Sequence, residues 1–182
     1  MLFRSTVQAA YDAATSTSTT LAFKYTIQSG QTDLDGISIG ANVLSANGGS
    51  IRDVAGNAAS LTHAAIADNN SYLVDTTTPT VLSVSVPVAG EYKSTKSLDF
   101  TVNFSEAIDL ATLSAPTLTL RIGSDIVSAD YAGATSGTSS ALLFRHTVTS
   151  SDRSNVNGGN VIAVDSFNGA VRDVAGNATS PA

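Results

Sequence analysis

An all-β fold is predicted for this 182-residue chain, and three observations predict it. Only 13% of the residues are charged against 42% apolar, which leaves too little charge for solvated amphipathic helices. Short stretches alternate apolar and polar side chains with a period of two, the pattern of half-buried strands. Ser, Thr, Ala and Gly fill the loops between them, as turns require.

The strands group into a repeated module. The heptapeptide Arg-Asp-Val-Ala-Gly-Asn-Ala stands at 52–58 and again at 172–178, and its surroundings match as well. A spacing of 120 residues between identical loops reads as one module written about one and a half times, part of a tandem array.

In the second copy, Leu82, Val84 and Val86 line one face of a first strand that Pro87 ends, and Leu98, Phe100, Val102 and Phe104 line a second. Leu118, Leu120 and Ile122 mark a third, which Gly123-Ser124 turns into a fourth through Val127, Ala129 and Tyr131. Leu142, Phe144, His146 and Val148 form a fifth, residues 161–164 a sixth, and the repeated loop follows. In the first copy Val7, Ala9 and Tyr11 match the fourth strand, Leu21, Phe23, Tyr25 and Ile27 the fifth, and 37–44 the sixth; 61–67 add a seventh after the shared loop.

Seven short strands in about 100 or more residues per unit is the pattern of an immunoglobulin-like β-sandwich, here without its cysteine pair and core Trp. The expected organisation is therefore tandem immunoglobulin-like sandwiches. Residues 1–74 form the C-terminal part of one repeat lacking about three N-terminal strands, 75–79 a linker, and 80–182 a second repeat lacking its last strand. A half-sandwich exposes its inner face and an unpaired edge. Either the segment belongs to a longer array, or neighbouring copies supply strands.

Composition excludes several classes. A net charge of −6 with no Lys/Arg cluster argues against nucleic acid as partner. The absence of cysteine rules out disulfides and thiolate metal sites. The opening Met1-Leu2-Phe3-Arg4-Ser5 has no signal-peptide pattern, and no apolar run approaches membrane-spanning length, so an export signal is expected outside this segment and membrane insertion within it is not.

Three motifs in order, Val74-Asp75-Thr76-Thr77-Thr78-Pro79-Thr80-Val81, Phe100-Thr101-Val102-Asn103-Phe104-Ser105-Glu106 and the repeated loop, resemble bacterial immunoglobulin-like repeats. Those repeats belong to giant secreted adhesins and motility-associated surface proteins, including the flagellar-system-associated type. The resemblance covers nearly the whole chain. It implies an extracellular spacer at the bacterial cell surface, often stiffened by calcium, that carries adhesive or anchoring domains.

Strand parity assigns candidate calcium ligands. Glu106 at the end of the second strand shares a pole with Asp173 and Asn177 after the sixth, and Asp75 enters that pole from the linker. Asp33 and Asp35 follow a fifth strand running the other way and face the same junction; the second copy has Asp152-Arg153-Ser154-Asn155-Val156-Asn157-Gly158 there instead, so the calcium role is firmer for the first. Calcium takes six to eight oxygen ligands, which such a junction can offer. The alternative stays open: Asp33-Leu34-Asp35-Gly36 is a solvated turn, and Asp53 and Asp173 brace their own loops.

Gly56 and Gly176 supply positive φ, and turn chemistry accounts for the repeated motif better than catalysis does. His146 matches Tyr25 and reads as a packed or capping residue, with His63 its only companion. There is no nucleophile elbow, phosphate-binding Gly-Lys-Ser/Thr or His-Glu-x-x-His motif, so no enzyme is expected. Asn69, Asn103 and Asn177 stand in glycosylation sequons that reflect composition, and 15–20 and 135–140 read as flexible loops.

The expected function is a non-enzymatic spacer of a surface adhesin, its partners neighbouring repeats or other copies of itself. The 76–79 linker is short and β-branched, with Pro79 holding Thr78 extended, which suits domains held end to end. The alternative is a subunit of an extracellular filament or virion appendage assembled by β-strand complementation.

Overall fold

The computed structural model describes residues 6–152 and 162–179, and among these the alternating stretches become strands while no α-helix forms. The chain falls into two units, Met1–Thr77 and Thr78–Ala182. The expected strand residue Val161 and the loop positions 153–158 lie outside the described residues.

Unit 1 holds four short strands: β1 (Ala10–Asp12), β2 (Ala22–Lys24), β3 (Ile37–Ile39) and β4 (Ile66–Asn69). β1 pairs antiparallel with β2, placing Tyr11 opposite Phe23 with the rings edge-on at 6.1 Å. β3 pairs with β4 through a register shift between Ile37 and Ile39. These strands are shorter than the alternation predicts, and the reason is packing. Val7, Tyr11, Leu21, Phe23, Tyr25 and Ile27 are all exposed, so no second layer holds the flanking residues in a ladder; Val74 is the buried apolar side chain of this unit among the described residues.

Unit 2 builds a six-stranded antiparallel sheet in the order β10-β7-β8-β9-β6-β5. The strands are β5 (Val81–Ser85), β6 (Ser97–Asp109), β7 (Thr117–Ile122), β8 (Asp125–Tyr131), β9 (Thr138–Thr147) and β10 (Ile162–Asn168). Gly123, with φ of 62°, makes the two-residue turn from β7 to β8 that the sequence predicts. Two observations show that the sheet curls over itself. Phe104 of β6 and Phe167 of β10 meet edge-on at 6.1 Å although their strands lie far apart in the sheet order. The seam between β8 and β9 holds only the pairs Asp130 with Arg145 and Tyr131 with Phe144. Two groups of three strands thus face one another in a sandwich-like arrangement.

The predicted inward faces fill the space between them. Leu98, Phe100, Val102, Phe104, Leu118, Leu120, Ala129, Leu142 and Phe144 are at most 3% exposed. Phe144 sits at the centre, edge-on to Tyr131 at 5.7 Å and to Phe167 at 5.8 Å. Burial of a Leu, Val or Phe side chain stabilises by about 1.5–3 kcal/mol, so this layer dominates the stability of the unit.

Three expectations need amendment. Leu82, Val84 and Val86 do not form a buried face: they are 68%, 36% and 56% exposed, because β5 is the edge strand and no layer lies over it. The second strand does not stop near Glu106; β6 runs to Asp109 through an irregularity between Asn103 and Ile108. The 135–140 stretch is only partly loop, since β9 already begins at Thr138 and Ser139 pairs with Ile108.

Candidate functional site

The repeated motif folds identically in both units, and its chemistry is local. Asp173 N–H donates to Asn177 O at 3.1 Å and Gly176 N–H to Asp173 O at 3.2 Å, closing a tight hairpin between β11 (Val171–Arg172) and β12 (Ala178–Thr179). The Asp173 carboxylate accepts from Asn177 N–H at 2.8 Å and from its side-chain amide at 2.7 Å, while Arg172 Nη1 caps Gly176 O at 3.0 Å. In unit 1 the corresponding bonds are Asn57 N–H to Asp53 at 2.8 Å, the Asn57 amide to Asp53 at 2.8 Å, and Arg52 to Gly56 O at 2.8 Å. Gly56 and Gly176 have φ of 92° and 94°, a left-handed conformation that explains the glycine at both. The Asn57 side-chain amide and backbone N–H hold the Asp53 carboxyl below its ordinary value.

The two copies differ in what surrounds them. Asp53 is exposed, whereas Asp173 is 4% exposed because Ile108 of β6 bridges its backbone. Glu106, two residues earlier on the irregular part of β6, is half-buried with Oε1 fully buried, and its carboxylate comes within 4.8 Å of that of Asp173. Unit 2 therefore brings together Glu106, Asp173 and, through its bonds to Asp173, Asn177. Two carboxylates this close and partly desolvated repel one another, an arrangement that a hard cation relieves.

The other predicted ligands have local roles within unit 1. Asp33 pairs by backbone with Val74, and its Oδ1 accepts from Asp35 N–H at 3.3 Å and Gly36 N–H at 2.8 Å, the bonding of a side-chain-capped turn. Gly36 has φ of 106°, and a Cβ there would lie 2.2 Å from Asn69 O, so the turn tolerates glycine alone. Asp35 is half-buried in that turn. Asp75 Oδ1 accepts from Thr77 N–H at 2.9 Å.

Sequence reasoning assigns His146 a packed or capping role but not its partners, Ser128 and Asp152. Its Nδ1 lies 2.8 Å from Ser128 O on β8 and its Nε2 2.9 Å from Asp152 Oδ2, tying the segment after β9 to the neighbouring strand. Burial works to raise the Asp152 carboxyl, but Thr149 N–H, the His146 ring and the Thr149 hydroxyl outweigh it and hold the carboxyl below its ordinary value. Capping, one of the two expected roles, is what the ring performs. His63, in unit 1, accepts from Val43 N–H at 3.1 Å with its Nε2. Comparison of the chain with family models, curated proteins and solved structures gives no match.

Proposed function

We propose that the chain is a non-enzymatic spacer from a tandem array of immunoglobulin-like sandwiches on a bacterial surface adhesin. The observation that supports it most is the recurrence of one module at atomic detail. The Asp-Asn clasp, the Arg cap and the edge-on Tyr-Phe pair appear in both units, at 6.1 Å for Tyr11 with Phe23 and 5.7 Å for Tyr131 with Phe144. Repeated modules joined by short linkers hold distance, and most of their energy goes into identical cores and nearest-neighbour interfaces. Unit 2, with β5, β6 and β9 on one side of the seam and β8, β7 and β10 on the other, supplies the two layers such a sandwich needs.

Calcium is the proposed structural ion. Glu106 and Asp173 of unit 2 would hold it, with the side-chain carbonyl of Asn177 beside them. All these donors are oxygens, the set calcium prefers. In this reading Asp33 and Asp35 serve their own turn first, with Asp33 Oδ1 engaged by backbone. The ion would neutralise the two crowded carboxylates and hold the repeated loop of unit 2 against β6.

The experiment has two arms. Antibody labelling of intact producing cells, with and without external protease, should find the array outside the cell; label reached only after lysis would remove the surface reading. Calorimetry with calcium chloride should show binding at millimolar concentration or tighter that Glu106→Gln and Asp173→Asn abolish. No heat in the wild type would leave the carboxylates as structural groups of their loops. Filament assembly through exchanged strands remains the competing reading, favoured by the exposed apolar side chains of unit 1; concentration-dependent polymers of the purified chain would support it instead.

A further inference from the structure

In unit 2, Phe144 is fully buried because β6 lies along the free side of β9. Phe100 stands opposite Phe144 in that ladder, and after the irregularity Ile108 of the same strand bridges Asp173 of the repeated motif. One strand thus seals both the aromatic pair and the Asp-Asn clasp. In unit 1 both attachment points exist, each in the same local geometry, without that strand. Phe23 keeps its ring contact with Tyr11 at an interplanar angle of 66°, against 61° for Tyr131 with Phe144, yet Phe23 is 44% exposed. Asp53 keeps both Asn57 bonds and is exposed where Asp173 is not. β2 pairs with β1 alone, so its other edge has no strand among the described residues.

We propose that unit 1 is an acceptor for one extended strand of the β6 type, donated in cis by a further segment of the same polypeptide that belongs to the same module. The occupant has apolar side chains at alternate positions, as Leu98, Phe100 and Val102 do, to lie on Phe23 and its exposed neighbours Leu21 and Tyr25. It continues through a bulge to an apolar residue whose backbone bridges Asp53, as Ile108 bridges Asp173. A second copy of this chain is the wrong donor. Its own β6 is the strand on which its core is built, and lending it would expose Phe100 and Val102, both now 0% exposed. The inference rests on the array reading for the source of the strand, and on the geometry of unit 1 for its sequence type.

The test extends the full chain at its N-terminal end with a second copy of residues 78–124, joined to Ser5 so that the spacing before Asp125 is reproduced. Amide hydrogen exchange read by mass spectrometry on peptides covering 21–27 and 52–58 should slow on the order of 100-fold relative to the unextended chain. The same extension carrying Phe100→Ser and Val102→Ser in the added copy should give no protection. A synthetic peptide of residues 97–109 added to the unextended chain provides a second measurement that does not depend on folding of the extension, and should protect the same two peptides. Unchanged exchange with both the extension and the peptide overturns the proposal while leaving surface location of the array to its own assay. Protection of 21–27 in the unextended chain that rises with its concentration would assign the face to a second copy and overturn the cis donor.

Discussion

Phe144 and Phe23 occupy matching positions in the two units, and truncating each to alanine should give very different costs. Phe144 is 0% exposed and packs edge-on against Tyr131 and Phe167. A buried Phe→Ala costs about 3–5 kcal/mol through lost transfer energy and the cavity left behind. Two edge-on ring contacts, each worth about 0.5–1.5 kcal/mol beyond burial, place this site at the upper end, about 4–5 kcal/mol. Phe23 is 44% exposed and has one such contact, and water can fill the space it vacates. Its truncation should cost about 1 kcal/mol, close to half the value of a fully buried side chain. Urea unfolding followed by far-UV and near-UV circular dichroism measures both. With a slope of about 1–3 kcal/mol per molar, Phe144→Ala should lower the midpoint of unit 2 by roughly 2 M or leave it unfolded in water, whereas Phe23→Ala should lower the midpoint of unit 1 by only about 0.5 M. Costs for the two variants within about 1 kcal/mol of each other would refute the contrast between a sealed and an open module.

Further outcomes follow from single contacts. Gly36→Ala should unravel the β3–β4 pairing, seen as accelerated exchange at 37–39 and 66–69, because φ of 106° and a Cβ 2.2 Å from Asn69 O cannot both be accommodated; a variant with wild-type exchange would show the turn to be adaptable. Asn177→Ala should cost about 1.5–3 kcal/mol by removing the side-chain amide bond to a buried carboxylate while the backbone N–H bond stays, and Asn57→Ala should cost clearly less at its exposed counterpart, by thermal or urea unfolding. The Asp152 carboxyl, held below its ordinary value, contributes stability above the unfolded carboxyl pKa of about 3.9 and loses it as pH falls through the depressed folded value. Melting of unit 2 should therefore be level from about pH 6 to 5 and drop below about pH 4, with Asp152→Asn flattening the drop. The Asp99 carboxyl is lowered in the same sense by Arg145, at 2.7 and 2.8 Å, but both side chains are nearly half exposed, so Asp99→Asn should change the acid limb little.

The inner faces of β6, β7, β8 and β9 were legible in the sequence because a period of two fixes orientation once a strand has a core to face. Phe100, Val102, Leu118, Leu120 and Phe144 all lie where alternation puts them. Alternation says nothing about whether a second layer is present. Leu82 and Val84 alternate as well as Leu98 and Phe100 do, yet they sit on an edge strand with nothing above them. Phe23 likewise reads like Phe144 and is exposed. At the acidic residues, parity brought Glu106 to the same end as Asp173, and the bulge in β6 delivers it there from within the strand. Strand parity made Asp33 a candidate ligand with a side-chain-braced turn as the alternative, and its Oδ1 is engaged by two backbone N–H groups, a role that no residue pattern distinguishes from a metal loop. The partners of His146 were hidden for a different reason, since they are a backbone carbonyl and a carboxylate six positions along the chain.

The repeated heptapeptide separates what a module encodes locally from what it needs from outside. Its hydrogen bonds agree between the copies to within about 0.2 Å even though one clasp is sealed by β6 and the other is open to water. The motif therefore draws its shape from its own Asp, Gly, Asn and Arg, and it can form before the rest of a module arrives. A clasp that is preformed gives an incoming strand a fixed backbone to bridge, as Ile108 does at Asp173, and spares the ordering entropy of that loop at the moment of docking. In a tandem array, where each copy must pair with its own strands and not with those of a nearly identical neighbour, an anchor set by short-range contacts favours the strand that is closest along the chain. The same local completeness that makes the motif easy to read in sequence would then help keep identical modules from exchanging parts.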